Sequence, residues 1–150
     1  MLGPTITASP ATMALDLVPF PEGWVIEGSP QARAKEIARS DDGAMTVIVW
    51  SCTKGRFCWR YDLDEMLTML SGEVIIIDHC NIERRLGPGD TAFFPAGSSA
   101  LWCVTQDMRK VAVCRLPMPK LIARALRLWY RACRPRRNQS GLMPFGLRRI

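Results

Sequence analysis

The chain has a single histidine, His79, in 150 residues. A centre built from two or three imidazoles is therefore excluded, whether for a metal or a proton relay. None of its six cysteines stands in a Cys-x-x-Cys pair, which removes the commonest zinc and dithiol patterns. Cys52, Cys58, Cys80, Cys103, Cys114 and Cys133 read instead as reduced thiols, with Cys103 and Cys114 inside strand-like runs. No apolar run has the length of a membrane-spanning helix. Met1 to Phe20 lacks the basic segment and apolar stretch of an export signal, so a cytoplasmic location is expected. No segment suggests a helix crossover between strands, which argues against a parallel α/β sheet, and no internal repeat is visible. Acid is missing from residues 115–150, which hold ten Lys or Arg. The other ten cations and all fourteen acids lie in residues 1–114, leaving the body at −4 and the tail at +10. Any basic-surface argument belongs to that tail.

What is present is a succession of short strands. Residues 1–21 read as a loose arm, with Thr5, Thr7, Ser9, Pro10 and Thr12. Trp24–Gly28, Arg33–Ala38 and Ala44–Cys52 read as strands, separated by turns such as Ser40-Asp41-Asp42-Gly43. The clearest alternation runs from Arg56 to Leu70 and predicts one half-buried strand. Its inward positions are Phe57, Trp59, Tyr61, Leu63, Glu65, Leu67 and Met69, with Glu65 as the one inward charge. Glu73–Asp78 reads as a strand buried on both sides, and His79-Cys80-Asn81 as a hairpin tip leading into Ile82–Leu86. Ala92–Phe94, Ala100–Thr105 and Lys110–Leu116 complete the set. Turn signals every 8–12 residues or so predict a β-sandwich or barrel.

Seven blocks point further. They are Trp50 to Phe57, Asp64-Glu65, Leu70-Ser71-Gly72-Glu73-Val74, Gly87-Pro88-Gly89-Asp90, Phe93-Phe94-Pro95-Ala96-Gly97, Trp102-Cys103-Val104 and Met108-Arg109-Lys110-Val111. In this order they resemble the cupins, and more narrowly the small single-barrel cupins grouped with the (S)-ureidoglycine aminohydrolase cupin domain. The resemblance covers about residues 22–116. It implies an all-β cupin jelly-roll barrel (a double-stranded β-helix) of bacterial type, with a site in the barrel mouth and a tendency to dimerise. The outward face near Met66 and Leu70 would suit a dimer.

Metal-binding cupins carry two histidines, a glutamate and a third histidine. Carried onto this sequence, those positions are Trp59, Tyr61, Glu65 and Ala100. Three of the four ligands are absent, so the expectation is a protein without a metal or other cofactor. The same departure argues against the ureidoglycine type of hydrolysis. An enzyme of small-nitrogen metabolism stays open as the alternative, with Glu65 as its weak catalytic candidate. What remains is an aromatic-lined pocket of Phe57, Trp59, Tyr61, Leu63, Glu65, Ala100 and Trp102. It would suit a small apolar or planar molecule, although the same side chains could simply fill the barrel. Tyr61 or a barrel-facing arginine would be the donor to Glu65. Phe93 and Phe94 read as packing residues, and His79 as a turn residue.

Pro117 and Pro119 open a C-terminal amphipathic helix that Pro135 closes, giving residues 117–135. Lys120, Arg124, Arg127, Arg131 and Arg134 share one stripe at roughly 100° per residue, opposite Leu121, Ile122, Ala125, Leu126 and Trp129. Three occupants of this helix are open. They are the barrel or a second subunit, an anionic surface at the inner membrane, and nucleic acid through charge alone, with no base-stacking platform. Residues 136–150 read as a flexible tail.

Overall fold

The computed structural model describes residues 4–133. The chain divides into two compact units, Met1–Pro117 and Met118–Ile150. In the first, β1 (Asp16–Val18), β2 (Val25–Glu27), β3 (Ala32–Arg39), β4 (Met45–Cys52), β5 (Gly55–Arg60), β6 (Asp64–Asp78), β7 (Glu83–Leu86), β8 (Thr91–Phe94) and β9 (Ser99–Arg115) form one antiparallel sheet. The architecture is the all-β jelly roll that the blocks imply.

The sheet curls around two long strands. β6 and β9 pair along nearly their full length, from Asp64↔Arg115 to Asp78↔Ala100. The other edge of β9 carries β4 and then β5, and the other edge of β6 carries β8 and then β7. Inward side chains from both halves meet in one core that includes Trp50, Phe57, Tyr61, Leu67, Met69, Val74, Ile76, Phe94, Trp102 and Met108.

The alternation from Arg56 to Leu70 is two strands, not one. It breaks at Tyr61-Asp62-Leu63 because this segment bonds to the next motif instead of to a ladder. Tyr61 N–H donates to the Ser98 carbonyl at 3.0 Å, Gly97 N–H donates to the Tyr61 carbonyl at 2.6 Å, and Asp64 Oδ1 accepts the Ala96 N–H at 3.0 Å. Inward parity survives the break. It changes later, within β6, where the register with β9 slips between Met69 and Val74. Glu65, Leu67 and Met69 face inward before the slip, Val74 and Ile76 after it. The segment read as buried on both sides is thus half-buried, with only those two residues fully inside. Ala100–Thr105 and Lys110–Leu116 are not two strands either, since β9 runs through both.

Two further departures concern the ends. The arm contains strand β1, which pairs with β3, and it is tied down where the Arg109 guanidinium donates to the Met13 carbonyl. In the second unit, α1 (Lys120–Cys133) starts near the expected Pro119. Arg134, Pro135 and the tail read as flexible lie outside the described residues.

Gly72 makes the slip possible. Its φ is +78°, and a Cβ there would lie 2.2 Å from the Asp107 carbonyl oxygen and 2.5 Å from Met108 Cα. Both neighbours are backbone of β9 and cannot swing away. Gly72→Ala is expected to cost about 3 kcal/mol or more of unfolding free energy in urea titration. A loss under about 0.5 kcal/mol would show that the crossing tolerates a side chain.

Candidate functional site

All seven residues read as a pocket lie in the first unit, and most are packed on one another. Phe57 and Trp102 stack at 5.9 Å between centroids, and Tyr61 stacks on Phe94 at 4.4 Å. Trp50 touches this group edge-on, 5.6 Å from Trp59 and 6.2 Å from Trp102. Phe20, from the arm, closes against Phe57 at 4.8 Å. Phe57, Tyr61, Glu65, Ala100 and Trp102 are buried, whereas Trp59 and Leu63 are half-buried. The edge-on and offset geometry is the arrangement ring quadrupoles favour.

Glu65 is not the only inward charge. Lys110, from β9, is 4% exposed and Glu65 is 6% exposed. Lys110 Nζ lies 2.5 Å from Glu65 Oε1 and donates to it. The same ammonium sits 4.7 Å from the Trp102 ring centroid and 5.1 Å from that of Trp50. The donor expected from Tyr61 or an arginine is therefore a lysine between two indoles. Tyr61 has a different partner, for Trp102 Nε1–H donates to its hydroxyl oxygen at 2.9 Å. Burial, then the nearby Glu65 charge, holds the Tyr61 phenol well above its ordinary range, so it is neutral at any physiological pH.

Lys110 was detectable. The period of two in Ala100, Trp102 and Val104 skips only the exposed Gln106 and resumes at Met108, Lys110, Ala112 and Cys114, all buried. The gap between the expected strands Ala100–Thr105 and Lys110–Leu116 hides this continuity, and β9 has no such gap.

A divalent ion does not fit this donor set. Trp59 and Ala100 offer no lone pair, the Tyr61 phenol is neutral and already bonded, and the Glu65 carboxylate already holds a cation. Among the described residues, no three His, Cys, Asp or Glu side chains are grouped as ligands.

Open volume lies beside the aromatic cluster. A cleft of about 360 Å³ is lined by Ile76, Leu86, Ala92 and Phe94 from the inward face. Asp78, His79, Arg84, Ser98 and Ser99 supply its polar groups. None of the seven pocket residues lines it, but Phe94 is a shared wall, facing the cleft and stacking on Tyr61. His79 is an exposed turn residue as expected, and it also lines this cleft. Arg84 is held by Asp78 Oδ2 at 2.6 Å. Phe94 is a packing residue, whereas Phe93 is 62% exposed and is not.

In comparison with known proteins, residues 39–112 match the family model of the EutQ-like cupin domain. Among solved structures, the chain is similar to a DUF861-family protein of unknown function from Pseudomonas syringae pv. tomato, with 20% identity and a TM-score of 0.64. That match covers 69% of this chain and 45% of the other. It is also similar to the EutQ protein of Clostridium difficile, with 19% identity, a TM-score of 0.52, and coverage of 58% and 64%. A cupin superfamily protein of Desulfitobacterium hafniense gives 18% identity, a TM-score of 0.51, and coverage of 58% and 79%. The chain thus spans less than half of the Pseudomonas protein and just under two thirds of the Clostridium one. At these identities the likeness is one of fold. No curated protein matches the chain.

The ion pair makes a direct prediction. Lys110→Met leaves a bare carboxylate in a dry interior and should cost about 3–5 kcal/mol, with Glu65→Leu, which leaves a bare ammonium, costing a comparable amount. Glu65→Leu with Lys110→Met should return to within about 1 kcal/mol of the parent. A urea double-mutant cycle measures the coupling, and simple additivity would contradict it. The thiols make a second prediction. Burial, then the Asp107 charge, pushes Cys52 up to about 12, and burial, then the Glu65 charge, pushes Cys114 up to about 11. At about pH 8 both should resist an aromatic disulfide reagent in the native protein and react after denaturation. Exposed Cys80 should react at once.

Proposed function

We propose that this chain is a cupin with a metal-independent role in binding a small molecule. The observation that carries the reading is the Lys110 ammonium on the Glu65 carboxylate. The one family ligand position that keeps its residue type is already satisfied by a cation of the protein itself. A hydrolysis of the ureidoglycine type needs metal donors that Trp59, Tyr61 and Ala100 do not supply.

The reading places the ligand in the cleft between β7 and β8. The filled cluster of Phe57, Trp59, Trp102 and the ion pair would act as its rigid support. Ile76, Leu86 and Phe94 form an apolar floor, and His79, Arg84, Ser98 and Ser99 offer a few donors. A cavity of this size and composition suits a small planar molecule with one polar end, oriented by those groups. The pairing of Arg84 with Asp78 leaves the rim without a strong net charge, which disfavours a highly charged ligand.

A thermal-shift screen of small planar compounds on the full chain tests this. A compound present at about one hundred times its Kd adds about 2.7 kcal/mol and raises Tm by several degrees. Phe94→Ala and Arg84→Ala should each reduce that shift, and Ser98→Trp should abolish it. Hits that none of the three variants alters would remove the ligand from this cleft.

A further inference from the structure

From α1 we propose a second binding surface. The helix lies flat on an anionic lipid surface, apolar face in the headgroup boundary and cations toward the phosphates. Within Lys120–Cys133 every charged side chain is basic: Lys120, Arg124, Arg127 and Arg131. At 3.6 residues per turn these four fall within an arc of roughly 60°. The other ten residues span roughly 220°, from Leu128 round to Ala123, and are apolar apart from the Tyr130 hydroxyl and the Cys133 thiol. The helix has no acid to pair with its cations and none in its first turn.

The width of the apolar arc decides the partner. A seam between two helices needs a narrow stripe, so pairing with a second copy would leave much of this arc in water. Nucleic acid would engage the cations and leave the whole arc in water. A lipid boundary covers a broad face and answers the unpaired positive charge with negative headgroups. Trp129 and Tyr130 add the amphipathic rings that settle at such boundaries. The helix runs along the surface and does not cross it, because no described helix is long and apolar enough to span a membrane.

Flotation of the full chain with vesicles tests the proposal. One set is phosphatidylcholine alone and the other contains about one third phosphatidylglycerol. Each basic residue near an anionic surface is worth about a five-fold gain in partitioning. The parent chain should therefore partition far more strongly on the anionic set, and Arg124→Gln with Arg127→Gln should weaken that by about 25-fold. Leu126→Asp should also weaken it while leaving the melting temperature unchanged. Equal partitioning on both sets, or no binding to either, would overturn the proposal. So would a chain that shifts RNA in a gel and ignores vesicles. Self-association that Leu126→Asp removes, without vesicle binding, would assign the apolar face to a second copy instead.

Discussion

The interior of this barrel depends on one contact, the Lys110 ammonium against the Glu65 carboxylate. Neither charge is tolerable there alone. A carboxylate or an ammonium out of water costs several kcal/mol, and only a close, well-placed partner offsets it. The pair is enclosed by the faces of Trp50 and Trp102, whose electron-rich rings favour the cation. The Trp102 N–H then goes to Tyr61, and Tyr61 stacks on Phe94. One ion pair thereby orders four aromatic side chains from four separate segments, and Phe94 carries that order to the edge of the open cleft.

The backbone that brings the two charges together is specified locally. β9 must stay unbroken from Ser99 to Arg115 to keep Ala100, Trp102 and Lys110 on one face. β6 must change face between Met69 and Val74 so that Glu65 and Ile76 both point inward. Gly72 allows that change, because its left-handed backbone passes against Asp107 and Met108 with no room for a side chain. Packing, register and electrostatics in the site therefore trace back to one glycine and one long strand.

Much of this was legible in the sequence, and the failures have physical causes. Parity placed Phe57, Trp59, Tyr61 and Glu65 inward, and the turns at Gly87–Asp90 and Pro95–Gly97 marked the barrel. Parity could not show that Tyr61 leaves its strand, since the bonds that pull it away come from Ser98 and Gly97, distant in sequence. It also missed β1, because Asp16–Val18 has no alternation of its own and is a strand only through pairing with β3. Lys110 was missed for a different reason. From sequence, one strand ends at Thr105 and the next starts at Lys110, whereas pairing with β4 and β6 carries β9 through the polar residues between them. The aromatic residues were placed correctly inside, but their periodicity could not tell a lined pocket from a filled one.

The cation at Glu65 belongs to the protein itself. Metal analysis of the purified full chain, after growth and titration with Mn, Fe, Ni and Zn, tests it most directly. Far less than one equivalent of any of these metals is expected, with a melting temperature that a chelator leaves unchanged. One tightly held equivalent, lost in Glu65→Gln, would contradict it.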